Sequence, residues 1–485
     1  MKALKSIGIV LVLALALVAG AQEDRKVLEQ IAEAVKVYRS GDVDGAKSSF
    51  IELYGKNPNQ ADILSWLGFL YLRTGEPQKA VEVLEKVMPM RKDDLEVRNN
   101  LGAAYVQTDQ PDKALVEYQA LSEMDPSRFE PWYNMGNIHL RAARYSEAVS
   151  SYGRANELRP DDAFVLNNLG VANEKLGNSA TAADYFARAS NIRQDNVTFA
   201  RNAGYSMLRA RRFQDASTYL ERAYRMDGKD AKLGMALAGN YAQLGDSSAA
   251  LRVYESLEPA MAGNAKYWYN VGVLREKSDV RAAERAYRRA IEIEPNDVNS
   301  LQNLGIILYK RGMYAEASTM FDRWAGLSQS SIEAKVNLAA VSSKTGNMPK
   351  AIALWKEVLR EDPKRTKIRL ALANAQWQEN DYENARANYE IVLREDSSAV
   401  DAHNGMGLYH LRESNLMEAE SQFRAAVRLD PSFIPAYNNL AVTLEKMKRR
   451  KEAIQVLESG LKRDPRNMEM NENLKRMKQA EKRKG

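Results

Sequence analysis

Residues 129–162 read FEPWYNMGNIHLRAARYSEAVSSYGRANELRPDD, and this stretch decides the fold. Trp132, Met135 and Gly136 lie three or four residues apart, so they share one face of a helix. Ala148, Tyr152 and Ala155 share one face of a second helix. Pro160 cannot continue that helix, because it lacks the amide hydrogen and its ring clashes with the preceding turn. The unit therefore reads as a helical hairpin with one apolar seam. The same spacing starts 34 residues earlier, where Ala114, Tyr118, Leu121 and Pro126 precede Ala148, Tyr152, Ala155 and Pro160.

Extending this frame gives thirteen units from Val27 to Asn467, one of which, between Ala265 and Asp297, is a residue short. The frame leaves no room for a linker or a second domain. Numbered within the unit, position 8 is always Gly or Ala, position 20 always Ala and position 24 always large. A mid-helix glycine costs about 1 kcal/mol relative to alanine, so eight glycines at position 8 need a compensating reason. We expect the two helices to approach closely where the small residues of positions 8 and 20 meet, with the position-24 side chain filling the space beside them. Gly41, Gly75, Gly177, Gly245, Gly312 and Gly346 fall at position 15, where the chain turns between helices.

The pattern resembles the tetratricopeptide repeat, which has Trp or Leu at position 4, Gly at 8, Ala at 20, Phe or Tyr at 24 and Pro at 32. The closest unit, residues 129–162, departs at position 11, where His139 stands in place of tyrosine. The resemblance implies an all-α, right-handed superhelical solenoid of about thirteen helix-turn-helix repeats. It also implies a function of holding protein segments rather than transforming a substrate. In this family the first helix of each repeat lines the inner groove. Position 6 there reads Asn100, Asn134, Asn168, Asn202, Asn270, Asn303, Asn337 and Asn439. An asparagine amide both donates and accepts, so such a ladder suits an extended peptide backbone. It resembles the asparagine ladder of O-linked N-acetylglucosamine transferases, whose catalytic domain is absent here. The alternative is that Asn at this position belongs to the repeat's own structure.

Position 13 is basic in ten units, among them Arg141, Lys175, Arg209, Lys277, Lys310 and Lys344. These cations either meet acidic partner groups or support the helix C-terminus. Trp66 interrupts the asparagine ladder and, with Phe69, forms a candidate apolar docking patch. Trp377 faces the groove or a neighbouring repeat. No catalytic constellation, metal site or cofactor motif is expected. The chain has no cysteine and 3 histidines, which excludes thiolate chemistry and leaves little for a histidine metal centre.

Lys2 and Lys5, the apolar run Ile7–Val18 and Ala19-Gly20-Ala21 read as a bacterial export signal over residues 1–21. A short segment, 22–26, follows, then the array, 27–467, and a basic capping helix and tail, 468–485. From Lys446 to Gly485 there are 14 Lys/Arg against 6 Asp/Glu, so this end carries +8 of a formal +6, and the remainder is −2. The sequence thus predicts no nucleic-acid partner and no transmembrane span in the mature chain, while the tail suits an anionic envelope surface. The expected function is a non-enzymatic periplasmic or secreted scaffold that binds extended peptide or protein. The alternatives are a self-assembling envelope protein or a cell-wall or glycan-binding module.

Overall fold

A computed structural model of the chain describes residues 25–482. The expected export signal and the last three residues of the tail lie outside them. Among the described residues the regular elements are all α-helices. They alternate in pairs that keep the 34-residue frame. First helices start at position 1 and mostly end at position 13, as in Phe129–Arg141 and Ala163–Lys175. Second helices start at position 17, as in Tyr145–Leu158 and Ser179–Ile192. None of these helices is long and apolar enough to cross a membrane.

The chain divides into two compact units, up to Leu257 and from Glu258 onward, and the cut falls within the helix Ser247–Met261. Within each unit, most helices pack against their hairpin partner and the start of the next repeat. The second unit closes on the helix Met468–Lys482, whose Met470 and Met477 are fully buried against the last repeat.

The interlock of each hairpin differs from expectation in one respect. All thirteen position-20 alanines have no exposed surface, and the position-24 side chains are at most 5% exposed. Yet the residue that demands glycine at position 8 is the one at position 24. A Cβ added at Gly136 would lie 2.6 Å from the Tyr152 ring, at Gly170 2.7 Å from Phe186, and at Gly305 2.5 Å from Phe321. The large side chain therefore seats directly on the backbone of the first helix. Its burial, worth roughly 1.5–3 kcal/mol, outweighs the helical cost of the glycine.

The turn also goes beyond glycine. Position 15 has positive φ in twelve repeats. It is Gly in six, and Asp109, Ala143, Arg211, Asn380, Ser414 and Lys448 in the others, with φ between 57° and 63°. An L-residue in this conformation costs roughly 1–2 kcal/mol, so the hairpin imposes it. In the short repeat the first helix, Ala265–Arg275, ends two residues early. This corrects the placing of Lys277, which lies in the turn rather than at a helix end.

Asp or Asn at position 34 caps the following first helix. Asp162, for example, accepts from the amides of Phe164 and Val165. Repeats are also tied by long polar side chains that the period did not reveal. Arg188 donates to the Pro160 carbonyl at 3.0 Å, and Arg222 to that of Ser190 at 3.1 Å. Lys47 and Lys79 hold Glu76 at 2.9 and 2.7 Å, and their hydrogen bonds bring its carboxyl down to about 2.

Two outcomes follow for thermal melting. Arg211→Gly removes left-handed strain and raises stability by about 0.5–1 kcal/mol, whereas Gly170→Val overpacks the Phe186 seat and lowers it by about 1–3 kcal/mol. Acid titration tests the Glu76 staple. Its folded carboxyl titrates below the unfolded value of about 4.3, so its contribution is present above that pH and fades as pH falls toward 2. Glu76→Gln should flatten this part of the stability–pH curve.

Candidate functional site

The first helices carry the candidate residues, and the first unit shows how they are used. Tyr152 fills position 24, and its hydroxyl donates to Asn137 Oδ1 at 2.7 Å. The Asn168 amide of the next repeat donates to the same hydroxyl at 3.2 Å and to Asn137 Oδ1 at 3.3 Å. Asn202 then donates to Asn167 Oδ1 at 2.9 Å. Asn134 hydrogen-bonds the Tyr118 hydroxyl, and burial pushes the Tyr118 and Tyr152 phenols up, so both stay protonated donors. The Tyr152 hydroxyl thus already has an acceptor in its own repeat, and the Asn168 amide adds a bond across to the next repeat, worth about 0.5–1.5 kcal/mol.

The second unit repeats the device. Asn303 donates to the Tyr287 hydroxyl at 3.0 Å, and Asn439 to Asn404 Oδ1 at 2.9 Å. Asn473, on the closing helix, donates to Asn438 Oδ1 at 2.8 Å. Asn337 instead bonds its own helix at the Glu333 carbonyl, 2.8 Å away. Asn270 is also engaged within the chain. The position-5 residues Asn167, Asn404 and Asn438 escape a reading of the sequence that follows position 6 alone. Their signal is an Asn at position 5 followed 35 residues later by another Asn, within an Asn-Asn doublet at Asn167 and Asn438 but not at Asn404.

Asn100 differs. The preceding position 24 is Leu84, which has no hydroxyl, and the Asn100 side chain makes no hydrogen bond among the described residues. It lines a cavity of about 310 Å³ together with Tyr38, Trp66, Phe69 and Val97. The rings form one cluster. Trp66 stacks on Phe50 at 5.6 Å between centroids, and Phe69 meets Trp66 edge-on at 5.8 Å. Tyr38 meets Trp66 at 5.6 Å and Phe69 at 5.4 Å. Trp66, Phe69 and Asn100 remain half-buried, so part of each faces solvent. The carboxylates at the rim are paired: Asp94 caps its helix, and Glu96 is held by Arg128. The cavity is therefore apolar and close to neutral, with one free amide.

Among the basic residues at position 13, Arg141, Lys175, Lys310 and Lys344 are exposed and carry no ion pair. Arg209 pairs with Glu174 of the preceding repeat. Trp377 is half-buried and packs on Tyr382 of its own hairpin, 4.9 Å between ring centroids. Of the histidines, His403 bonds Gln422 Oε1 at 2.6 Å and the Ser397 carbonyl at 3.0 Å. His139 is pushed down by burial, and its Nδ1 has no partner.

A double-mutant cycle tests the amide's structural role. Asn168→Ala should cost about 0.5–1.5 kcal/mol when Tyr152 is present and markedly less in the Tyr152→Phe background, read from denaturant unfolding.

Comparison with known proteins agrees with this architecture. Models described as the tetratricopeptide repeat match residues 37–99, 99–163, 133–196, 205–397, 370–432 and 434–467. Human superkiller complex protein 3 is 27% identical over 143 residues, 29% of this chain and 9% of that protein. Cellulose synthase operon protein C of Komagataeibacter sucrofermentans is 27% identical over 183 residues, 34% of this chain and 14% of that protein. The match thus spans a small part of these relatives' length. Among solved structures, MamA is 23% identical with TM-score 0.33, covering 35% of this chain and 92% of MamA. A chain of the Cut9–Hcn1 hetero-tetramer is 12% identical with TM-score 0.37, covering 92% of this chain and 95% of that one. On its thirteen interlocked hairpins and these matched segments, the chain belongs to the tetratricopeptide repeat family.

Proposed function

We propose that this protein is a non-enzymatic scaffold that holds extended protein or peptide segments on its first-helix face. The observation that carries this reading is the Tyr38–Trp66–Phe69 cavity with the unpaired Asn100 amide on its wall. An apolar side chain of the partner enters the rings, and its main chain exchanges hydrogen bonds with Asn100. Arg141 and Lys175, exposed and unpaired in the same unit, add affinity for acidic groups farther along the segment. The asparagines already bonded between repeats hold register and contribute at most their remaining lone pairs and hydrogens.

In this reading the chain is exported, loses its leader near Ala21 and works in the bacterial periplasm or outside the cell. The basic residues from Lys446 onward then rest against an anionic envelope surface. The relatives support the general role. One is named for a complex and another for a synthase operon.

A random peptide library displayed against residues 22–485 tests the site whatever the natural partner is. Selected peptides should share an aromatic or aliphatic anchor. Trp66→Ala combined with Phe69→Ala should weaken them by at least about tenfold, and Asn100→Ala by a smaller factor. Unchanged affinity in all three substitutions, with selected peptides still bound, would move the site elsewhere.

A further inference from the structure

The outer side of the last two repeats carries a second feature that the first-helix face does not use. The second helices Leu416–Leu429 and Arg450–Leu461 flank a cavity of about 560 Å³. Val427, Leu440 and Tyr437 give it an apolar floor, and Arg424, Arg428 and Arg463 stand at its rim. The Arg463 guanidinium lies 5.3 Å from the Tyr437 ring centroid, and its Nη1 donates to the Ser459 carbonyl at 2.8 Å. Arg424 donates to Glu420 at 2.7 Å and lies 3.6 Å from Glu452. Arg449 serves the same two carboxylates. These two arginines and two glutamates balance. Arg428, exposed and without an ion pair or side-chain hydrogen bond among the described residues, and Arg463 remain as uncompensated positive charge.

The repeat itself does not require this arrangement. The equivalent groove near the start of the first unit lies between Pro77–Val87 and Pro111–Met124, with a volume of about 540 Å³. There the frame puts Glu85 where Arg424 stands, Pro89 for Arg428 and Glu117 for Val456. In that groove Arg98 pairs with Glu117 at 2.7 Å and Tyr105 donates to Glu85 at 2.8 Å, which leaves Lys92 as the one lining cation without an ion pair among the described residues, against two arginines in the later groove. The frame position of Arg428 is Glu123 and Glu157 in some repeats and Arg225, Arg360 and Arg394 in others, so a cation there complements the helix C-terminus without being required by the repeat. Arg428 is the one of these that stands at the rim of this cavity.

We propose that the groove between the last two second helices binds an acidic peptide segment that carries an apolar residue beside its carboxylates. Guanidinium forks at Arg428 and Arg463 match carboxylates in bidentate geometry. Val427, Leu440 and the Tyr437 ring cover the apolar side chain. The Gln455 amide offers a donor and an acceptor to the peptide main chain. Glu452 at the rim disfavours a polymer with a phosphate at every unit. This surface is independent of the Trp66 cavity, so the chain can hold two segments at once.

Fluorescence anisotropy of a labelled EELFEE peptide, titrated with the whole chain at low ionic strength, tests the assignment. Arg428→Glu should weaken binding by at least about tenfold, and Arg428→Lys by much less. Trp66→Ala should leave binding unchanged. Arg428 is exposed and unpaired among the described residues, so Arg428→Lys should leave melting unaltered, and Arg428→Glu, in the last turn of its helix, should lower it only slightly. Equal binding by wild type and Arg428→Glu overturns the proposal. So does displacement of the peptide by phosphatidylglycerol vesicles or polyphosphate at matched charge concentration, which would reassign the groove to a membrane or a phosphate polymer.

Discussion

The seating of each position-24 side chain on the bare backbone of position 8 is the contact on which the rest depends. At Gly136 the Tyr152 ring occupies the space that a Cβ would take. That contact fixes the separation of the two helices in a hairpin. It also places whatever the position-24 residue carries at its tip beside the next repeat. At Tyr389, followed by Gly405, the tip hydroxyl meets Asn374 of the same repeat. At Tyr118, Tyr152 and Tyr287 the tip is also a hydroxyl, and the following repeat supplies an amide from Asn134, Asn168 or Asn303. An apolar requirement inside one hairpin thereby becomes a polar link between two.

This chain of causes explains why one asparagine is available and its neighbours are occupied. Leu84 satisfies the packing requirement without bringing a hydroxyl, and position 5 of the preceding repeat is Ser65 rather than the asparagine that receives Asn202 or Asn439, so the Asn100 side chain has no hydrogen-bond partner among the described residues. One repeat earlier Phe50 stacks on Trp66 where an amide would otherwise stand. The two changes are adjacent, and together they convert a link between repeats into an apolar cavity with a free amide. The same logic distinguishes the two outer grooves, one closed by Arg98–Glu117 and the other left with Arg428 unspent.

The hairpin frame was legible in the sequence because it repeats, and the helices begin within it where the spacing places them. Position 15 was only half legible. Glycine signals a left-handed turn, but Ala143, Arg211 and Lys448 adopt it under the constraint of the hairpin, and their side chains do not advertise it. The glycines at position 8 do mark a close approach, but to a different neighbour from the one expected. A one-dimensional period cannot show whether position 20 or 24 of the second helix meets them. Of the candidate site, Trp66 and Phe69 stood out as interruptions of a pattern. The division of labour among the asparagines was hidden, because it depends on the residue 16 positions earlier and on which tips reach across. Trp377 shows the limit of position alone, since its ring folds back onto Tyr382.

The central claim is that amides at equivalent positions do different work, some holding repeats together and one left for a ligand. Side-chain amide hydrogen exchange, resolved by NMR on selectively asparagine-labelled protein, tests it most directly. The account predicts slow exchange for Asn168, Asn202 and Asn439. It predicts fast exchange for Asn100, slowing only when a peptide selected on the first-helix face is added. Uniform exchange across all four, or protection that appears at Asn168 and not at Asn100 when the peptide binds, would contradict it.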